Sequence, residues 1–121
     1  EAQFVLERVR DYDLTMPVVF DWEYVSSSAR TANIGKTALT SATRVFCEAV
    51  KAAGYTPMLY FSQAQGDDLL ELSELTEYGF WLAMYRNMVY PYQIDMWQYT
   101  STGTVPGIDG EADIDLYFPE A

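Results

Sequence analysis

"MPVVFDWEYV", residues Met16 to Val25, joins an apolar run to two carboxylates, Asp21 and Glu23, with Trp22 between them. Pro17 to Trp22 reads as a first β-strand. Side chains alternate along a strand, so Val19, Asp21 and Glu23 share one face while Val18, Phe20 and Trp22 share the other. At about 3.3 Å per residue the two acids stand roughly 7 Å apart along the backbone. Phe20 and Trp22 are then expected to pack beneath a helix. The acids fall at the carboxyl end of the strand, where parallel β/α architectures place their ligand sites.

Working outward, strand and helix alternate. "EAQFVLERVRDY" has helical spacing of Phe4, Val5, Val9 and Tyr12 with no capping residue before it, so the chain is expected to begin inside a helix. After the loop "YVSSSARTAN" the clearest helix runs from Lys36 to Ala53. Ala38, Leu39, Ala42, Val45, Phe46, Ala49, Val50 and Ala53 line its apolar face, and Gly54 is its C-terminal stop. Thr56–Ser62 is a second strand, with Pro57 tolerable only at its beginning. A short helix is expected near Asp67–Leu75, opened by two acids that suit its positive end. Phe80–Tyr85, Asp95–Tyr99 and Ala112–Phe118 read as three more strands, joined by loops too short for full crossover helices. The beginning is α/β and the end β-rich. Without a repeat or linker, residues 1–121 are taken as a single domain.

Composition narrows the chemistry. The chain has 121 residues, half of them hydrophobic, and a formal charge of -11. Such a charge argues against nucleic acid, whose binders need a basic face, and against docking on anionic membranes; no run reaches membrane-spanning length. There is no histidine, which excludes histidine triads, HExxH zinc sites and imidazole bases within the chain. The single cysteine, Cys47, cannot form an internal disulfide or a thiolate cluster and reads as a core thiol. Carboxylates, tyrosines and hydroxyls are left to do chemistry.

A pair of carboxylates with no metal cage fits glycoside hydrolysis, which needs one protonated acid for the leaving oxygen and one negative group for the oxocarbenium charge. Like charges in one pocket push one pKa upward, so Glu23 is expected to stay protonated while Asp21 stays ionised. A solvated strand end with incidental acids is the alternative reading of D-x-E by itself.

The motifs "MPVVFDWE", "TPMLYFS", "YGFWLAMY" and "MWQYTSTGTVPGIDGEADIDLYF", taken in this order, closely resemble those of the glycoside hydrolase family 25 lysozymes, the Chalaropsis-type muramidases. The resemblance implies an incomplete TIM-like (β/α) barrel: about the last five strands, two to three helices, helix-poor final strands and a last strand antiparallel to the others. It implies a peptidoglycan hydrolase cleaving the β-1,4 bond between N-acetylmuramic acid and N-acetylglucosamine, needing no cofactor or metal and acting outside the cell or in the cell wall. Glu23 matches the general acid. Asp21 matches its partner, which either orients the substrate's acetamido group as an internal nucleophile or stabilises the charged intermediate. Asp113 matches a further active-site Asp, while Asp115 stands where many relatives have Asn. Tyr60 and Trp81 fall at positions resembling substrate-contacting aromatics.

The residues themselves bear on some of this. Asp113 opens the last strand, so it can join acids at the carboxyl ends of other strands only if that strand runs antiparallel, which the loop Thr100–Glu111 permits. Trp81, Ala83 and Tyr85 share a face, and the small residue between two aromatics leaves room for a sugar ring. Tyr85 is a third candidate contact, although for it the filling of a barrel interior by aromatics is the preferred reading, whereas for Trp81 the site is preferred.

The three earlier strands of the family's barrel, the first with a "GIDVS"-like motif, have no counterpart here. The chain is therefore expected to be a fragment or a half-barrel completed by a second copy or another polypeptide, because an uncovered strand edge invites pairing. Two non-enzymatic readings follow: a sugar-binding module that keeps Trp81 and Tyr60 without needing Glu23, and an assembly fragment that needs neither. "GKT" at Gly35–Thr37 is no phosphate loop, since residue 30, where a glycine is required, is Arg30. The acidic run Asp109–Asp115 is no calcium loop, since Ile114 holds the glycine position.

Overall fold

Helices cover one face of the sheet because Val18 and Phe20, Leu59 and Phe61, and Phe80 and Leu82 fall on one parity of their strands. The computed structural model describes residues 1–119. Five strands, β1 (Val18–Asp21), β2 (Pro57–Ser62), β3 (Gly79–Ala83), β4 (Met96–Gly103) and β5 (Ala112–Tyr117), form one sheet in chain order. β1 to β4 are parallel neighbours and β5 returns antiparallel to β4. Three α-helices accompany them: α1 (Ala2–Val9), α2 (Lys36–Ala52) and α3 (Gln63–Asp68). The result is an incomplete TIM-like barrel whose edge strands among the described residues are β1 and the antiparallel β5.

One face of the sheet carries the core. Phe20 from β1, Leu59 and Phe61 from β2, and Phe80 and Leu82 from β3 meet Leu39, Phe46, Cys47 and Val50 of α2. Each fully buried side chain of this size contributes about 1.5–3 kcal/mol. Phe20 lies 5.3 Å from Phe46, ring centre to ring centre, so the expected packing of this strand face under a helix is what the structure shows. The buried stripe of α2 also takes in Thr40 and Thr43, while Val45 points to solvent. Both threonines satisfy their hydroxyls within the helix, Thr43 on the Leu39 carbonyl and Thr40 on that of Lys36. Burial pushes the Cys47 thiol up to about 12, as befits a core thiol.

The helix expected near Asp67–Leu75 is displaced toward the N terminus. Ser62 and Gln65 form a reciprocal capping box that starts α3 at Gln63, so Asp67 and Asp68 close the helix instead of opening it. A 3-10 turn follows at Leu72–Glu74 and is pinned to α2: Thr40 Oγ1 accepts from the Glu71 amide at 3.0 Å and Arg44 donates to the Glu74 carbonyl at 2.6 Å. Gly66 is required inside α3, since a Cβ there would meet the Tyr90 hydroxyl and lie 2.9 Å from the Phe61 ring. α1 ends at Val9, so Tyr12 lies beyond it. β4 extends to Gly103, which shortens the turn into β5, and its register with β5 shifts between Gln98 and Thr100 and again before Gly103.

Candidate active site

The face opposite the core is built from the alternate residues. Asp21 pairs with Tyr60, Tyr60 with Trp81, and Trp81 with Met96, while Ala83 pairs with Gln98 and Gln98 with Asp115. Register and parity thus bring one residue per strand to a common level. Val19, Asp21, Glu23, Tyr60, Trp81, Gln98 and Asp113 line a hollow of about 400 Å³. Because β5 is antiparallel, Asp113 precedes Asp115 toward the end where β1 carries its acids. Asp21, Glu23 and Asp113 therefore converge, and all three charges act on the Tyr60 phenol.

Tyr60 stays a neutral donor. Burial first, then Tyr85 and the three carboxylates, push its phenol upward. Its hydroxyl donates to Gln98 Oε1 at 2.9 Å, and the Tyr85 hydroxyl donates to the same oxygen at 2.6 Å. Gln98 is itself buried. The Trp81 indole stands edge-on to the Tyr60 ring at 5.1 Å and donates to Asp115 Oδ1 at 2.7 Å. That bond fixes the indole plane, and either a carboxylate or an amide oxygen at position 115 could accept it.

Tyr85 lies beyond the end of β3, is 57% exposed, and borders a second hollow of about 720 Å³ with Glu23, Tyr24, Tyr60, Gln63 and Arg86. In this half-barrel its ring faces the open hollow while its hydroxyl reaches the buried Gln98. The two hollows share Glu23 and Tyr60, so they adjoin at these residues and together are called the groove.

The expectation that Asp21 is the member of the pair that readily stays ionised is corrected here, because it is the Asp21 carboxyl that is held upward. Asp21 remains exposed to solvent, and the partial desolvation of its carboxyl in the hollow, then the charge of Glu23, raise it above the usual aspartate value. The folded state therefore holds this proton more tightly than the unfolded chain, and folding stability falls as pH rises from the unfolded value of 3.8 through the raised one. Asp21→Asn is expected to raise the melting temperature at pH 7. The gain should vanish below about pH 3.5, where both states are protonated. Melting curves of both proteins at the two pH values check this, and a lower melting temperature for the variant at pH 7 would contradict it.

Two residues that sequence reasoning passed over hold the site in place. Gln98 lies two residues beyond Met96, the partner of Trp81 in the β3–β4 register, and this register places it on the groove face. Gln65 closes the capping box of α3 with Oε1, which accepts from the Ser62 amide at 2.7 Å, and uses Nε2 to donate to the Trp22 carbonyl at 2.9 Å. β1 ends at Asp21, so this bond grips the chain between the two acids one residue past the strand. Gln65→Glu keeps an acceptor for the cap and loses the donor, so the amide NMR signals of Trp22 to Tyr24 should move while α3 persists. Gln65→Leu loses both and should cost about 1–2 kcal/mol in urea unfolding. Unmoved signals in the glutamate variant would show that the strand end is held by other contacts.

Among the described residues no group of three or more His, Cys, Asp or Glu side chains is placed to hold a metal ion, and no helix is long and apolar enough to cross a membrane.

A half-barrel sheet that gathers acids from the carboxyl end of β1 and the amino end of β5, with aromatics beside them, has the parts that glycoside hydrolases use. The model of the glycosyl hydrolases family 25 matches residues 1–108, and the chain belongs to that family. Among solved structures, the CTP1L endolysin superposes with a TM-score of 0.74 at 25% identity over 96% of this chain and 40% of its own. The modular autolysin LytC from Streptococcus pneumoniae gives 0.78 at 25% identity, covering 97% of this chain and 30% of that one; it has also been solved with a synthetic peptidoglycan ligand. A family 25 glycosyl hydrolase from Bacillus anthracis, at 20% identity and a TM-score of 0.75, shares the fold over 99% of this chain and 59% of its own length. The chain thus spans between about a third and three fifths of these proteins. No curated protein matches it.

Proposed function

We propose that the chain carries the hydrolytic half of a peptidoglycan glycosidase, an N-acetylmuramidase that acts on the β-1,4 bond between N-acetylmuramic acid and N-acetylglucosamine in the cell wall. The observation that carries the reading is the convergence of Asp21, Glu23 and Asp113 with Tyr60 and Trp81 in one groove. Family membership and the likeness to an endolysin and an autolysin support it.

Glu23 is the general acid. It stands where the two hollows meet, open to a glycosidic oxygen lying along the groove, and donates its proton to that oxygen as the bond to the anomeric carbon breaks. Asp21 acts on the acetamido group of the same sugar. Its carboxylate, ionised above its raised pKa, accepts the amide N–H as the acetamido oxygen bonds the anomeric carbon and the glycosidic bond breaks. Water then attacks that carbon, the acetamido group is released and a proton returns to Glu23. Asp113 adds negative charge opposite, where positive charge develops on the ring. Trp81 and Tyr60 supply the apolar wall against which a pyranose ring packs, and Tyr85 extends that wall. Residues 1–121 act as one domain in this reading, with Glu120 and Ala121 outside the described residues.

The test is the identity of the new chain end. Purified peptidoglycan treated with the protein and reduced with borohydride should yield muramitol, the mark of cleavage after N-acetylmuramic acid. Glucosaminitol would place the cut at the other linkage, and binding without any new reducing end would favour a sugar-binding module.

A further inference from the structure

An acidic protein that grips an anionic polymer needs a cation where the polymer's charge lies. Seven basic residues serve a chain of net charge -11. Arg10, Arg30, Lys36, Arg44 and Lys51 are each spent on a carboxylate within 3.7 Å, and Arg8 lies over the Phe4 ring. Arg86 differs from all of these. Among the described residues its partner is a neutral amide: Nη2 donates to Gln63 Oε1 at 2.6 Å. That bond orients the guanidinium without cancelling its charge, and Arg86 is the one cation lining the groove.

The groove is therefore polarised. Asp21 and Asp113 line one hollow, Glu23 stands where the two adjoin, and Arg86 lines the other beside Tyr24 and Tyr85. A neutral glycan would gain nothing from this arrangement. A glycan whose alternate rings carry a carboxylate would be drawn into one orientation, with its charged substituent away from the acids, and a planar fork of N–H donors is suited to a carboxylate.

We infer that Arg86, held by Gln63, is a carboxylate-recognition site that selects glycans bearing an acidic 3-O-lactyl or lactyl-peptide substituent and sets the direction in which the strand lies across Glu23. This rests on the glycan reading of the groove. The bland alternative, a solvated surface arginine, predicts no ligand dependence at all.

Three probes bound to the full chain, followed by calorimetry, decide the matter: chitotetraose, which is neutral; the disaccharide of N-acetylglucosamine and N-acetylmuramic acid with its lactyl carboxylate free; and the same disaccharide bearing a dipeptide with a free carboxylate. Arg86→Gln should weaken binding of at least one acidic probe about five- to tenfold and leave chitotetraose unchanged. Arg86→Lys should recover part of that loss, and added salt should reduce the preference in the unaltered protein. The acidic probe that is affected identifies the carboxylate recognised. Equal affinities of the Gln variant and the unaltered protein for both acidic probes overturn the inference alone, as does an equal loss for all three probes. Failure of the unaltered protein to bind any of the three overturns the glycan reading and the inference with it.

Discussion

Replacing Glu23 by glutamine is expected to lower the release of reducing ends from peptidoglycan by about 10²- to 10⁴-fold, the range that a positioned general acid contributes. The amide matches the carboxyl in shape, and Glu23 is an exposed residue beyond the last ladder position of β1, so neither the core nor the sheet should notice the change. Circular dichroism and melting should be unaltered within error. Affinity for a glycan fragment should also persist, because the aromatic wall of Tyr60 and Trp81 remains. A variant that retains more than a tenth of the rate would remove Glu23 from the acid role and turn attention to Asp113 or Asp21 as the proton donor. A variant that loses rate and fold together would show instead that Glu23 is structural.

Truncating Leu82 to alanine should be the most damaging single change to the fold. Leu82 is fully buried on β3, the middle strand of five, between its parallel neighbours β2 and β4. Leu→Ala at such a site costs about 3–5 kcal/mol through lost transfer energy and the residual cavity. Against a total stability on the order of 5–15 kcal/mol, that removes a large share. Urea unfolding should show a much lower midpoint at unchanged slope. The companion change Leu116→Ala, on β5 and 46% exposed, should stay within about 0.5 kcal/mol. Similar costs at both positions would mean that the outer surface of β5 is covered in solution, as a second copy or another barrel segment would cover it.

How far the sequence speaks for itself differs by element. The parity of Pro17–Trp22 predicts both faces of β1, because a strand's period of two leaves no freedom once the apolar set is known. The antiparallel β5 is legible from Asp113, which could reach the other acids in no other direction. α3 is misplaced because two acids at Asp67 and Asp68 were read as a helix start, whereas the stronger signal, Ser62 followed three residues later by Gln65, lies just before them. Val45 fails for a related reason: an apolar residue counts toward a helical stripe in sequence even where threonines with internally satisfied hydroxyls cover the core in its place. Gln98 and Gln65 stay hidden because their roles exist only across strands, in a register that no local pattern contains. The upward push on Asp21 depends on partial desolvation, which spacing along a strand does not reveal.

The antiparallel turn at the end of the sheet also bears on how the molecule assembles. β4 and β5 are joined by residues 104–111 alone, whereas β1 must find β2 across a crossover that contains the whole of α2. Closing the short hairpin loses less chain entropy, so the last two strands are expected to pair before β1 meets β2. Gly103 favours this order, for a Cβ there would drive into Ile114 across the hairpin. Hydrogen exchange is expected to show the short strand that brings Asp21 and Glu23 opening before the central strands β2 and β3, which would tie the acids to a locally unfolding edge.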